Sequence, residues 1–249
     1  KLLLALSGGV DSCVLLDLCL KSGLTPAVAH CNFQLRGSVS DADADWIKNL
    51  ADSKGLESHV QTFETQVYAQ EKKISIQMAA RDLRYQWFES LSQQKGYDSI
   101  LIAHHADDAL ETFMINAMRG SGLKGLLGIP ERRGKILRPL LSFSREEIIQ
   151  FAHKNKIQWR EDSSNAKTDY LRNALRHEVI PQWKKRDPNF DDQFQETLKY
   201  LGQAQTLLDD VLKDFKNQNF IPWQHGFKVS IDAFIGLSSL DYYLHGLFA

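Results

Sequence analysis

The sequence predicts an α/β protein: a doubly wound, mostly parallel sheet followed by a helical segment. Strand-like apolar runs alternate with helical patterns along the first half of the chain, the signature of βαβ units. The chemically unusual residues follow those runs, at the carboxyl ends where open parallel sheets collect ligands. With 249 residues at 43% hydrophobic content, the chain can bury one sizeable core and a second, partial unit.

The first run, Leu2–Leu6, stops at Ser7-Gly-Gly-Val-Asp-Ser12 and re-enters an apolar helix over Ser12–Lys21. Strand-like runs at Pro26–His30, Glu57–Thr62 and Ser99–Ala103 are each followed by a helical pattern, at Asp41–Lys54, Glu71–Lys95 and Asp107–Met118. Right-handed crossovers bring the loops after Leu6, His30 and Ala103 to one cleft. A Gly-rich loop, Arg119–Leu126, closes the fourth unit; Arg138-Pro-Leu-Leu141 leads to a helix over Ser144–Lys154, which Ser144-x-x-Glu147 opens as a capping box. Asp187-Pro-Asn reads as a linker, dividing a catalytic domain at 1–186 from a helical region at 187–249. That region opens on an amphipathic helix over Asp191–Asn217, striped by Phe194, Leu198, Leu201, Ala204, Leu208 and Leu212. The stripe is for packing, and if part of it stays exposed it suits a homodimer or a further domain.

The composition excludes several classes. A net charge of −1 announces no global nucleic-acid binder, so an RNA surface has to be a local patch. The three cysteines, Cys13, Cys19 and Cys31, contain no C-x-x-C pair, which argues against zinc ribbons, iron–sulfur ligation and dithiol chemistry and for a reducing compartment. No apolar stretch reaches membrane-spanning length, and the chain reads as cytoplasmic. The start at Lys1 and the apolar stretch ending at Ala249 suggest a fragment trimmed at both ends.

The junction at residues 7–12 aims several backbone N–H groups at one spot. Gly8 and Gly9 allow close approach of an anion, Ser7 and Ser12 add donors, and Val10 begins a helix whose dipole favours negative charge. It is a phosphate cradle without the Gly-Lys-Ser/Thr of a Walker loop. Asp11 repels phosphate unless a cation stands between them, so its presence points to Mg²⁺ on a polyphosphate. The block Ala103-His-His-Ala-Asp-Asp-Ala-Leu-Glu-Thr112 leaves a strand with two histidines and three acids. Asp108 and Glu111 share a helical face and suit a cation, either Mg²⁺ or an ammonium group. His104 and His105 are adjacent on a strand and point apart, which disfavours a zinc pair and suits hydrogen bonding to a nucleotide. Arg81, Arg84, Arg119, Arg138, Arg172 and Arg176 sit at helical spacings or beside Gly and Pro, as phosphate-binding arginines do.

Taken in order, these blocks, with Ala29-His-Cys-Asn-Phe-Gln-Leu-Arg-Gly37, Glu161-Asp-Ser-Ser-Asn165 and Arg172-Asn-x-x-Arg-His-x-x-Ile-Pro181, resemble the catalytic domain of the tRNA(Ile)-lysidine synthetases. These are PP-loop enzymes of the N-type ATP pyrophosphatase superfamily, with an adenine nucleotide alpha hydrolase-like fold. The resemblance covers about residues 1–181. It implies a C–N ligase that adenylates C2 of the wobble cytidine of an isoleucine tRNA with a CAU anticodon and replaces AMP by the ε-amino group of lysine. ATP and Mg²⁺ are the implied cofactors; tRNA(Ile) and L-lysine are the implied partners. By the same resemblance Ser7, Gly8, Gly9, Val10, Asp11, Ser12, His30, Arg84 and His104 would bind ATP, with Asp11 on the metal. Asp108 and Glu111 would hold the lysine ammonium. Asp11, Asp108 and Arg172 would be catalytic, and Arg81, Arg119, Arg138 and Arg176 would meet tRNA or phosphate. Two departures stand out: Phe33-Gln34 where many members carry His-Gly, and Ala109 where Gln is frequent. The competing readings are another PP-loop enzyme, a tRNA thiolase or an amidating synthetase, and a non-catalytic nucleotide-binding module; the last has no need of both Asp11 and Asp108.

Overall fold

The computed structural model describes residues 1–160 and 170–248; the Glu161–Asn165 block lies outside them. A six-stranded sheet of order β3-β2-β1-β4-β6-β5 forms the centre. Its strands are β1 (Leu2–Ala5), β2 (Ala27–Asn32), β3 (Ser58–Thr62), β4 (Ser99–Leu101), β5 (Arg132–Arg133) and β6 (Ile136–Leu137). All neighbours are parallel except β5, which returns antiparallel on β6. The alternation of strands and helices thus gives the doubly wound sheet the sequence predicts.

Strand periodicity sorts the core into two layers. Leu4 packs with Val14, Val28, Ile47, Leu101 and Ile148 on the face covered by α1 (Val10–Lys21), α2 (Ser38–Ser53) and α7 (Arg145–Lys154). Leu3 faces the other way, onto Ala27, Ala29, Phe88, Leu91 and Ile100, under α4 (Ile76–Lys95). Both leucines are wholly buried, each contributing about 1.5–3 kcal/mol of apolar burial. With β1 pinned on both faces, the loop after Ala5 leaves the sheet at its centre.

The expected helix over Glu71–Lys95 is two. α3 (Thr65–Lys72) ends at Lys73 in the left-handed region, φ 54°, and α4 begins after Ser75. The reason is local: Ser75 Oγ accepts the Met78 N–H at 3.2 Å, a cap that competes with continuing the helix. The β5–β6 hairpin, turned at Gly134, was not legible as strand, since each arm is only two residues long. After α5 (Ala106–Met118) the Gly-rich loop contains a single turn, α6 (Leu123–Leu126).

Past the undescribed residues, α8 (Tyr170–Ala174) runs through one π turn at Leu175–Val179 into α9 (Ile180–Arg186). α10 (Phe190–Asn219) buries Phe194 against Leu110, Leu175 and Ile180, its ring 5.3 Å from that of Phe113. The outer half of α10 is partly covered: Phe215 meets Phe234 and Tyr243 at 5.2 and 4.9 Å, the latter on α11 (Leu240–Phe248). Leu207 and Val211 stay exposed. Among the described residues no helix is long and apolar enough to cross a membrane.

Replacing the cap, Ser75→Ala, is expected to lower stability by about 1 kcal/mol, read as a reduced urea midpoint with an unchanged slope.

Candidate active site

The loop after β1 is shaped by its own hydroxyls. Ser12 Oγ, on a buried side chain, accepts the Ser7 N–H at 3.2 Å and donates to the Gly9 carbonyl at 3.0 Å; Ser7 Oγ lies 3.1 Å from it and accepts the Gly9 N–H at 3.3 Å. Ser12 therefore holds the cradle's form, while Ser7 is exposed at its lip. Gly9, the N-cap of α1, has no capping side chain, so the N–H groups of Val10, Asp11 and Ser12 find no partner inside the helix. Gly8 has φ +91°, and a Cβ there would lie 3.5 Å from Ile47 Cδ1; the turn needs glycine for its backbone more than for space. The Gly8 carbonyl accepts the Arg160 N–H at 2.9 Å. Arg160 Nε and Arg36 Nη2 both pair with Asp43, at 2.7 and 2.8 Å, strapping three loops together.

This loop forms one wall of a cavity of about 940 Å³ lined also by Asp11, His30, Asn32, Phe33, Arg84 and His104. His30 Nδ1 lies 2.9 Å from the Leu6 carbonyl; a carbonyl only accepts, so the proton sits on Nδ1. Burial lowers the His30 pKa. Gln34 has φ +52°, a conformation that favours glycine. Its backbone N–H donates to Asn32 Oδ1 at 3.0 Å and its side-chain amide donates to Asp41. Phe33 stacks on Phe63 at 5.7 Å, with the Arg84 guanidinium 5.2 Å over its ring.

The adjacent histidines do different work. His104 Nδ1 accepts from Arg138 Nε at 3.0 Å, which places its own proton on Nε2, and burial pushes its pKa down to about 4. Arg138 is itself buried and donates to the Pro130 carbonyl at 2.6 Å. Arg138, expected to meet tRNA or phosphate, here directs Nε to His104 and Nη1 to the Pro130 carbonyl. His105, the N-cap of α5, is buried among three acids: Nε2 stands 4.0 Å from Asp11 Oδ1 and 3.5 Å from Asp108 Oδ2, and Nδ1 stands 3.7 Å from Asp107 Oδ2. Asp11 Oδ1 and His105 Nδ1 are buried without a hydrogen-bond partner. Burial raises the Asp11 pKa, against the pull of His105 and of Arg145, whose Nη1 lies 3.8 Å away.

Asp108 and Glu111 do share a face of α5, but the cations on them are the chain's own. Glu111 is wholly buried; Arg176 Nε and Nη2 donate to its two oxygens at 2.5 and 3.0 Å, and Arg172 Nε stands 3.0 Å from Oε2. Arg176 Nη2 also donates to Asp108 Oδ1 at 3.2 Å, while Asp108 Oδ2 accepts the His105 N–H at 3.1 Å. Arg176, expected to meet tRNA or phosphate, here faces two carboxylates. Burial raises the Glu111 pKa against the opposing bond from Arg176. Asp107 takes Lys184 Nζ at 2.6 Å and the Arg145 N–H at 2.7 Å. Arg119 is exposed at the end of α5, and Arg81 lies exposed 4.9 Å over the Tyr85 ring, beside a second cavity of about 620 Å³.

The sequence reading did not single out Asp43, Arg145, Arg160 or Lys184, whose partners are distant in the chain. It weighed both histidines but assigned only His104 to the site.

The PP-loop domain family matches residues 1–183. The chain belongs to the PP-loop family. Among its relatives, the tRNA(Ile)-lysidine synthase of Bacteroides thetaiotaomicron is 41% identical over 222 residues, 89% of this chain and 52% of the relative. That of Bacillus subtilis is 36% identical over 225 residues, 87% of this chain and 48% of the relative. The chain spans about half the length of the curated relatives it matches. A U34-tRNA thiolase from Methanococcus maripaludis superposes with a TM-score of 0.67 at 17% identity, over 81% of this chain and 71% of that one, a likeness of PP-loop fold alone.

The buried His104 gives a stability prediction. Between its ordinary pKa of 6.5 and the folded value of about 4, the unfolded chain binds a proton there that the folded chain does not. Stability is therefore full above about pH 6.5 and falls as pH drops toward 4, by an amount on the order of 3 kcal/mol. His30 adds a loss of the same sign. Urea midpoints between pH 7 and pH 4.5 should fall more steeply for the unaltered chain than for His104→Gln.

Proposed function

We propose that this PP-loop chain converts the wobble cytidine of an isoleucine tRNA with a CAU anticodon to lysidine, using ATP and L-lysine, in the cytoplasm. The observation that carries the reading is the chain of side chains Asp11–His105–Asp108, which joins the phosphate cradle to the acidic face of α5. The names of the lysidine synthase relatives support the substrate.

Mg²⁺ fits Asp11. Its unpartnered buried oxygen is the kind of ligand this ion takes when it is shared between one carboxylate and substrate phosphates. Among the described residues no cluster of three His, Cys, Asp or Glu side chains would hold a metal by itself. Bound there with ATP, the ion would neutralise phosphate charge.

The loop amides of Val10, Asp11 and Ser12 bind and orient the leaving pyrophosphate, with Ser7 at the lip and Gly8 and Gly9 permitting the approach. The cytidine O2 attacks the α-phosphorus and the bond to the β-phosphate oxygen breaks, releasing pyrophosphate. The oxygen, formerly a poor leaving group, is now a phosphate ester. The lysine ε-ammonium, held near Asp108 and Glu111, gives a proton to one of these carboxylates, and the free amine bonds to C2; the C2–O bond breaks and AMP departs with its electron pair. His104, a neutral imidazole with its proton on Nε2, offers that proton as a hydrogen bond within the cavity, and Arg84 lies over Phe33 to meet phosphate or base. Arg172, on Glu111 and Thr112, stands on the amine side and stabilises the adenylated intermediate. Exposed Arg81 and Arg119 suit tRNA phosphates. A thiolase reading gains nothing from the cysteines: burial pushes Cys13 and Cys31 up to about 12.

Asp11→Asn and Asp108→Asn should each cut transfer of labelled lysine into the isoleucine tRNA by at least 100-fold, with the melting temperature within a few degrees of the unaltered chain. Absence of labelled lysine from every tRNA with the unaltered chain, despite ATP binding, would sink the proposal.

A further inference from the structure

The acidic face of α5 is full. Glu111 has no exposed surface, and its two oxygens are forked by one guanidinium and approached by a second. Asp108 gives one oxygen to the same fork and the other to its own helix terminus. Two carboxylates are matched by two guanidiniums, so the cluster is neutral as it stands. Adding an ammonium ion without removing a cation would leave one uncompensated positive charge in a desolvated site, which is strongly unfavourable. Withdrawing a cation without replacement is unfavourable for the same reason. Only exchange keeps the charge balanced.

The two guanidiniums are placed differently. Arg172 is the more exposed, 40% against 23%, and is also tied to Thr112 Oγ1 at 3.1 Å, on α5 itself. Among the described residues Arg176 is the one that bridges the two carboxylates: its Nη2 stands 3.0 Å from Glu111 Oε2 and 3.2 Å from Asp108 Oδ1, where the nitrogen of an ammonium serving both would sit, and it lies in the single π turn of its segment. Such turns interrupt the regular ladder and recur at functional positions. Neither Asp108 nor Glu111 lines the cavity that holds Asp11 and His104.

We propose that Arg176 is the resident occupant of a cation site formed by Asp108 and Glu111, and that the substrate ammonium enters by displacing it. This rests on the lysine reading above and deepens it: Arg176 is a competitor for the amine and sets which amines succeed. A guanidinium is a planar fork, whereas an ammonium is a compact point charge. Arg176 Nη2 already reaches both carboxylates, so the ligand that replaces it is one whose single nitrogen satisfies Asp108 and Glu111 together.

Two measurements test this. In equilibrium dialysis with labelled L-lysine and saturating ATP, without tRNA, Arg176→Met should bind lysine at least 10-fold more tightly than the unaltered chain; equal or weaker binding by a folded variant overturns the proposal. The second uses the unaltered chain, so a variant that fails to fold does not leave the matter open. The Arg176 Nε–H, bonded to Glu111, should exchange slowly with solvent and become at least 10-fold faster at saturating L-lysine. Protection that persists at saturation overturns the exchange. The two readings fail differently. If the unaltered chain transfers lysine to tRNA yet keeps Arg176 protected, only this inference falls; if it transfers none, the functional reading falls.

Discussion

A carboxylate with no exposed surface holds the two halves of the site in register. Glu111 lies on α5, which follows the central parallel strands; Arg172 and Arg176 lie on the segment that packs against α10. Burying a charge is tolerable only where it is paired and hydrogen-bonded. The position of residues 170–186 against the sheet is thus set electrostatically as well as by the apolar contact of Leu175 and Ile180 with Phe194. Asp108, one turn back, ties the same fork to His105, and His105 faces Asp11 across the cleft. The phosphate cradle and the acidic face are two ends of one charged chain rather than separate sites.

Local signals carried a large share of this into the sequence. The four central strands, the loop at residues 7–12, the capping box at Ser144 and the shared face of Asp108 and Glu111 are written within a few residues of themselves, through strand and helix periods and the conformational needs of glycine. The Ser75 cap is equally local, but a helical pattern running past it on both sides masked it. The β5–β6 hairpin is too short to display a period. What stayed hidden is long-range pairing: nothing near Arg176 in the sequence says that it will face Glu111, and nothing near Arg138 says that it will be buried against His104. Arginine looks alike in sequence whether its partner is a nucleic acid or a carboxylate from the same chain.

The cradle itself shows why the hydroxyls are not interchangeable. Ser12 spends its donor on Gly9 and an acceptor position on Ser7, closing the loop before any ligand arrives. The unbonded helix amides are then already aimed, and little reorganisation is left to do when an anion binds. Arg160 and Asp43 reinforce this from outside, through the Gly8 carbonyl and the Arg36 pair, so the cradle's geometry is shared by loops from three parts of the chain.

Gln34 has an evolutionary consequence. A non-glycine residue at φ +52° carries a backbone cost of about 1 kcal/mol, and here its side-chain amide offsets that cost by donating to Asp41, which also takes Asn32. The two positions are therefore coupled: loss of the Asp41 carboxylate would remove the bond that offsets the Gln34 backbone cost, whereas a glycine at position 34 would leave Asp41 free to vary.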